Sequence, residues 1–395
     1  MAAAQGTGAR HGTSPAAGLK TVVRVLIAPD KFKGSLTARE AAAAMAAGWR
    51  EAWPEAKVVC RPVADGGEGT AEAVCSALGG TWREHTVHDP LGRPVRARYA
   101  VAGATAILEC SAASGYGLVS PHDRDLLRAS TFGTGELVAH AFAEPDVRKI
   151  IVGLGGSATN DGGLGLAAAL GYTFLDSAGK PIAPVPGELG RLASIVPPPA
   201  QPWLDCPVTA ACDVQNPLLG PRGATQIYGP QKGLLPSQEA TLEHGLRRLA
   251  DVAASLGTDQ REVPGAGAAG GLGFGLLTFC GATLAPGFGL VAGLLGLEEA
   301  VATADLVLTG EGSADAQSLE GKAPYGVAAL AKRYGRPVVL VAGHVPPADR
   351  PALRAHFDAV FALTDTGLTP ESCLRDATNI LRSVTAKAAR AWRAR

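Results

Sequence analysis

The sequence predicts a parallel α/β protein of two domains, one inserted into the other. Three observations carry this. Short β-branched runs alternate with helical segments at both ends of the chain. Closely spaced strands and turns interrupt the alternation between about residues 81 and 120. The length of 395 residues, at roughly 150 per domain, suits two domains better than one.

The first strand is the run Val22-Val23-Arg24-Val25-Leu26-Ile27, which ends at Ala28-Pro29-Asp30. Thr37 and Glu40 form a capping-box pattern, so a helix starts there and runs to about Trp53, before Pro54. A strand over 57–63, a loop over 65–69 and a helix over 70–78 complete a strand–helix–strand–helix unit, the mark of a parallel sheet. Residues 81–120 read as three short strands, with turns at Asp89-Pro90-Leu91-Gly92 and Val101-Ala-Gly103-Ala104, so antiparallel pairing and a new domain begin near residue 81. A helix over 133–144, a strand over 149–154, a glycine loop over 155–163 and a helix over 164–171 follow. Residues 180–207 read as a long proline-rich connection and 236–256 as an amphipathic helix. The alternation returns at Ala304, with strands over 305–308, 337–341 and 359–363 and helices over 321–334 and 370–393. The expected division is a tail over 1–20, a discontinuous α/β domain over 21–80 and 300–395, and an inserted domain over 81–299.

Composition narrows the function. The chain is 47% hydrophobic and 18% charged, enough to bury a core and against wholesale disorder. Its 36 basic residues balance 36 acidic ones, so no global field draws in nucleic acid or an anionic membrane. The 51 glycines are not periodic, which excludes collagen, and they gather after apolar runs as shaped loops do. Seven cysteines without a Cys-x-x-Cys argue against a disulfide framework or structural zinc and for free thiols in the cytoplasm. No apolar run reaches the roughly 18 residues of a membrane span. Residues 1–20 lack the apolar stretch of a secretory signal; a flexible tail is expected there, with a transit peptide as the other reading. Arg390, Arg393 and Arg395 suit a helix C-terminus and need no partner.

Four loops join an apolar run to a helix, where parallel sheets bind ligands. In Ala28–Ser35, Asp30 suits magnesium or proton transfer, and Lys31 and Lys33 suit phosphate or carboxylate; a capped turn with solvated lysines is the plain alternative. In Val63–Thr70, two acids flank two glycines, a hard-oxygen set suited to magnesium or equally a plain turn. In Gly153–Gly163, glycines admit an anion to the backbone, Ser157, Thr159 and Asn160 add neutral donors, and Asp161 adds a negative charge. In Thr309–Ser318, Glu311 and Asp315 can hold a metal or take a proton, and Lys322 beyond it can neutralise phosphate. Residues 265–275 read either as a nucleotide lid or as a close-packed loop, and His344 as a structural histidine.

Gly153-x-Gly155-x-x-Ala158, with Asp176 about twenty residues on, also fits a dinucleotide fingerprint and so an NAD-dependent oxidoreductase. Ser157, Thr159, Asn160 and Asp161 are surplus to that turn, and no Walker phosphate loop is present. The residues alone lead to an α/β enzyme that handles phosphate with a divalent metal.

The loop strings themselves resemble those of the type-I bacterial glycerate kinases. They are Ala28-Pro-Asp-Lys-Phe-Lys-Gly-Ser-Leu36, Ala64-Asp-Gly-Gly-Glu-Gly-Thr70 and Gly153-Leu-Gly-Gly-Ser-Ala-Thr-Asn-Asp-Gly-Gly163. Cys212-Asp-Val-Gln-Asn-Pro-Leu-Leu-Gly220, Gly229-Pro-Gln-Lys-Gly233, 265–273 and 309–322 complete the series, so the resemblance spans about 22–385. It implies a flavodoxin-like domain carrying a large inserted α/β domain, with the active site in the cleft between them. It implies transfer of a phosphoryl group from ATP, with Mg2+, to the 2-hydroxyl of D-glycerate. The implied partners are D-glycerate and ATP, with neither nucleic acid nor membrane, and a homodimer is left open. On that footing Asp65 or Asp161 is the base, and Lys31, Lys33 and Lys232 are candidates for the substrate carboxylate. Asp30 and Ser35 are assigned to substrate, and Asp213 to substrate or magnesium. Glu311 and Asp315 are assigned to magnesium, and Gly155, Gly156, Ser157, Thr159, Asn160 and Lys322 to the nucleotide. A catalytically silent sensor on the same scaffold is the third reading.

Overall fold

A computed structural model describes residues 22–257, 259–315 and 321–394. The expected tail over 1–20, and Gln317 and Ser318 of the fourth loop, lie outside the described residues. The strands are β1 (Arg24–Ile27), β2 (Lys57–Cys60), β3 (Thr81–His88), β4 (Pro94–Ala102), β5 (Thr105–Glu109), β6 (Lys149–Gly153) and β7 (Thr173–Leu175). They continue with β8 (Ser194–Val196), β9 (Val208–Ala211), β10 (Thr283–Ala285), β11 (Leu306–Thr309), β12 (Val338–Ala342) and β13 (Ala359–Ala362).

Five of these form a fully parallel sheet in the order β13-β12-β11-β1-β2. β11 and β12 are buried at every position, as strands covered by helices on both faces must be. On one face Val25 and Ile27 meet Met45 and Trp49 of helix Ala38–Ala52 and Leu381 and Val384 of helix Ala377–Arg393. The first of these helices begins at the expected capping box, where Thr37 Oγ1 accepts from the Glu40 amide and Glu40 Oε2 from the Thr37 amide.

The second sheet has the order β10-β9-β6-β5-β4-β3. β3, β4 and β5 pair antiparallel and the rest parallel. The turn between β3 and β4 is set by Asp89, whose Oδ1 accepts the Leu91 and Arg93 amides. The two sheets are not separate cores. Ala100 and Ile107 of the second pack with Leu26, Val307 and Leu340 of the first, and Val291 and Val301 from the segment before β11 join them.

Three expectations change. Residues 180–207 contain β8, which pairs with β7; three-residue strands carry too little periodicity to be read. The helix expected over 370–393 divides at Asp376 (φ −119°, ψ 36°) into Pro370–Arg375 and Ala377–Arg393. The segment 265–275 is packed interior, with Ala266, Leu272 and Phe274 buried, so the lid reading falls and the close-packed reading stands. Its backbone is left-handed at Ala269, Gly270 and Gly271 before the helix continues to Cys280.

Candidate active site

The site begins at the C-terminal edge of the parallel sheet, between β1 and β11, where the chain's progression across the sheet reverses. Beyond the strands the loops stay zipped: the Ala28 amide donates to Leu308 O (2.7 Å), Asp30 to Gly310 O (2.8 Å) and Val63 to Pro29 O (2.9 Å). This holds Asp30 in the interior, 6% exposed.

The loop after β2 then crosses to the second sheet and rests on the loop after β6. A Cβ on Gly153 would lie 2.3 Å from Gly66 O, and one on Gly155 would lie 2.8 Å from Gly67 Cα. Glycine is required here so that two backbones can touch. The contact brings Asp65 into one cavity of about 260 Å³ with Gly155, Gly156, Ser157, Asp213 and Lys232. Asp65 is half-buried, and among the described residues it accepts only a local bond, from the Gly67 amide (3.0 Å).

Charges of both signs converge. Burial pushes the Asp30 carboxyl up to about 7, with Asp65 and Glu311 adding to the shift and Lys31 opposing it. Against the lowering effect of burial, Asp30, Asp65, Glu68 and Glu109 hold the Lys31 ammonium above its ordinary value. Asp213 is exposed and lines the same cavity; desolvation, with the charge of Asp65, raises its pKa to about 6, against the Gly287 amide. Lys232 is 5% exposed and donates to Ser157 Oγ (2.7 Å) and Thr159 O (2.8 Å); burial lowers it to about 8.

A family model described as the glycerate kinase family matches residues 25–393. The chain belongs to the glycerate kinase family. It is 44% identical to the glycerate 2-kinase of Escherichia coli K12 over 367 residues, 91% of this chain and 96% of the relative. It is 42% identical to the glycerate kinase of Bacillus subtilis 168, over 90% of this chain and 94% of that one. A crystal structure assigned as glycerate kinase 2 from Salmonella typhimurium LT2 superposes with a TM-score of 0.84 at 42% identity, covering 95% of this chain and 99% of that one.

These relatives give no support to the oxidoreductase or sensor readings. The geometry explains the false fingerprint. Gly153 and Gly155 serve the contact with Gly66 and Gly67, and the next helix starts only at Leu164. Asp176 closes a local turn, accepting from the Ala178 and Lys180 amides and pairing with Arg191.

The sequence-selected residues of this glycerate kinase family member fall into four groups. Asp65, Gly155, Gly156, Ser157, Asp213 and Lys232 share the cavity already described. Asp30, Lys31, Lys33 and Ser35 line an adjoining cavity of about 450 Å³. Thr159, Asn160 and Asp161 line neither and are fully buried. Asn160 donates to Thr225 Oγ1 (3.0 Å). The Asp161 carboxylate accepts from the amides of Thr131 (2.8 Å), Gly163 (3.0 Å) and Gly165 (3.1 Å) and from Thr131 Oγ1 (2.8 Å). Those donors oppose the burial that raises its pKa.

Glu311 (7% exposed) and Asp315 flank Lys322, each with an oxygen 3.8 Å from its Nζ. Among the described residues no three carboxylate, thiol or imidazole groups gather as a metal cage. Magnesium is commonly held by one or two carboxylates plus phosphates and waters, so the paired carboxylates of Glu311 and Asp315 fit such an ion.

Sequence reasoning missed Glu109 and Arg39, which line the larger cavity together with Glu68, the second acid of the Val63–Thr70 loop. Glu109 was legible: it ends the apolar strand β5, the same position that marks Asp30 after β1, but no glycine follows to draw attention to it. Burial raises its pKa, against amide donors that include Ala71 (2.8 Å).

Proposed function

We propose that this chain transfers the γ-phosphoryl group of ATP to the 2-hydroxyl of D-glycerate, giving 2-phospho-D-glycerate and ADP. Family membership across residues 25–393 supports the activity, and the Escherichia coli relative's name supports the 2-position. The observation that carries the site reading is Asp65, which the glycine contact holds in one cavity with Lys232 and Ser157 while its charge reaches Asp30 and Lys31.

Phosphoryl transfer asks for positioning and charge stabilisation. Asp65 takes the proton of the 2-hydroxyl as that oxygen bonds to the γ-phosphorus. The bond to the β-phosphate oxygen breaks, and ADP leaves with its electron pair. Lys232 holds the substrate carboxylate, and Asp213 accepts from the remaining hydroxyl. Gly155, Gly156 and Ser157 face the transferred group, and Lys31, Lys33 and Lys322 balance phosphate charge. Ser35 and Asp30 complete the wall on the substrate side. Thr159, Asn160 and Asp161, sequestered from both cavities, shape the loop and are withdrawn from direct contact. Glu311 and Asp315 are the residues that would hold magnesium, which would neutralise phosphate charge there.

The parallel sheet is read as flavodoxin-like. Counted along the chain its strands run 2-1-3-4-5, the flavodoxin order, with ligands expected beside the 1/3 switch point. The six-stranded sheet then belongs to an insertion between its second and third strands, within the expected 81–299. Among the described residues no helix is long and apolar enough to cross a membrane. Seven free thiols support a cytoplasmic setting.

Phosphorus NMR of the protein with ATP, Mg2+ and D-glycerate tests the reading. A 2-phosphoglycerate resonance is expected. A 3-phosphoglycerate resonance would overturn the regiochemistry, and an unchanged spectrum would overturn the activity.

A further inference from the structure

We propose that the adenine of ATP binds in a third, apolar cavity beside the cleft, floored by Phe32, Leu363 and Cys373 and rimmed by Pro370 and Leu374. This rests on the kinase reading and deepens it. The cavity has a volume of about 390 Å³ and lies against the loops that follow β1, β11, β12 and β13. It therefore shares the C-terminal edge of the parallel sheet, where such folds bind their ligands.

Chemistry separates it from its neighbours. The two cavities of the candidate active site are walled by Asp30, Lys31, Glu109, Asp65, Asp213 and Lys232, a surface for anions, hydroxyls and metal. An uncharged flat ring gains most where apolar side chains surround it and a few polar groups orient it. Phe32 and Leu363 are each 1% exposed at the floor. Leu374 stands at the rim 50% exposed, an apolar side chain that an aromatic ring would cover. Ser313, Thr364 and His344 supply the polar edge, with His344 Nδ1 3.4 Å from Thr364 Oγ1.

The wall is pre-formed. The Gly343 amide donates to Glu311 O, the His344 amide to Gly312 O and the Ala314 amide to His344 O, each 2.9 Å, joining the loops after β11 and β12. A Cβ on Gly343 would lie 2.3 Å from Gly312 O, so the two backbones are in direct contact.

Continuity selects the ligand. Phe32, Lys33 and Ser35 line both this cavity and the cleft that holds Asp30 and Lys31. A molecule with a flat neutral ring at one end and several negative charges at the other fits both compartments, with exposed Lys33 at their junction to meet the phosphates. That is the chemistry of a purine nucleoside triphosphate. The sequence-selected loop over 155–157 then meets only the phosphoryl group in transit, not the nucleoside.

The test is steady-state kinetics on Leu374→Asp and Pro370→Glu, with Leu204→Asp as control. Leu374 and Pro370 are exposed, and an acid is tolerated at a helix N-terminus such as Pro370. Leu204, 77% exposed on another turn, lines none of the three cavities. KM for ATP should rise at least about tenfold in either cavity variant, with KM for D-glycerate within about twofold and the control unchanged. Adenosine should compete with ATP in the parent enzyme and lose that competition in both variants. An unchanged KM for ATP, or a rise confined to D-glycerate, overturns the proposal while leaving the kinase intact. If the parent makes no phosphoglycerate, the kinase reading is what has failed, and calorimetric titration with adenosine decides the cavity alone: binding lost in Leu374→Asp upholds it, and no binding to the parent overturns it.

Discussion

Asp65 and Asp161 both sit in a glycine-rich loop beyond a strand, and both suit a base by residue type, but their surroundings are opposite. Asp65 is half-buried at a cavity wall and, among the described residues, has one short-range donor, the Gly67 amide. Asp161 is fully buried, and amide and hydroxyl donors from Thr131, Gly163 and Gly165 already occupy its carboxylate. A carboxylate whose lone pairs are already committed has little capacity left to take a substrate proton, but it can hold two chain segments together. In these two loops the residue type is the same, and the pattern of donors is what differs.

The sharpest way to break this contrast is Asp65→Asn. It should lower kcat about 10²- to 10⁴-fold, read as ADP release, while the melting temperature stays close to the parent's. A loss under tenfold would remove Asp65 from the base role. Asp161→Asn should show the reverse. An amide nitrogen replaces one acceptor oxygen among several donors, so stability should fall by about 3 kcal/mol in denaturant titration, with kcat per folded molecule within about tenfold. A stable but inactive Asp161→Asn protein would reverse the two assignments.

Lys232 sharpens the comparison from the cationic side. Lys232→Met should raise KM for D-glycerate by about ten- to a hundredfold, with a smaller change for ATP. In the parent, kcat/KM for D-glycerate should fall as the pH passes about 8, because the buried ammonium gives up its proton there. A profile flat to pH 9.5 would detach Lys232 from the substrate.

The smallest effect expected is in the pH dependence of stability set by Asp30. Its carboxyl titrates near 3.8 when unfolded and near 7 when folded. Between those values the folded state keeps a proton that the unfolded state has lost, so this contribution to stability is complete below about pH 4 and is lost as the pH rises to about 7. Asp30→Asn should flatten that slope and melt a few degrees above the parent at pH 8, in the absence of metal. Equal melting temperatures at pH 8 would mean that the cluster is already neutralised by other means.

Much of this was legible in the residues. The capping box at Thr37 and Glu40, the strand-end acids Asp30 and Glu311, and the break near residue 81 are local signals, and local signals survive in a linear string. The β7–β8 pair and the break at Asp376 were not legible, because the first is three residues long and the second is set by one residue's dihedral angles. The burial of Asp161 was not legible for a related reason: its donors come partly from Thr131, thirty residues away.

The sequence by itself determined the alternation of strand and helix, the family strings and the chemistry available in each loop, because these depend on residue type and short spacing. Tertiary structure decided which loops meet. Gly66 and Gly67 pack against Gly153 and Gly155 across two sheets, and that long-range approach of bare backbone puts Asp65 in one cavity with Lys232. Separate contacts with Thr131, Gly163 and Gly165 seal Asp161 away, since a side chain's availability depends on which neighbours have already taken its hydrogen bonds.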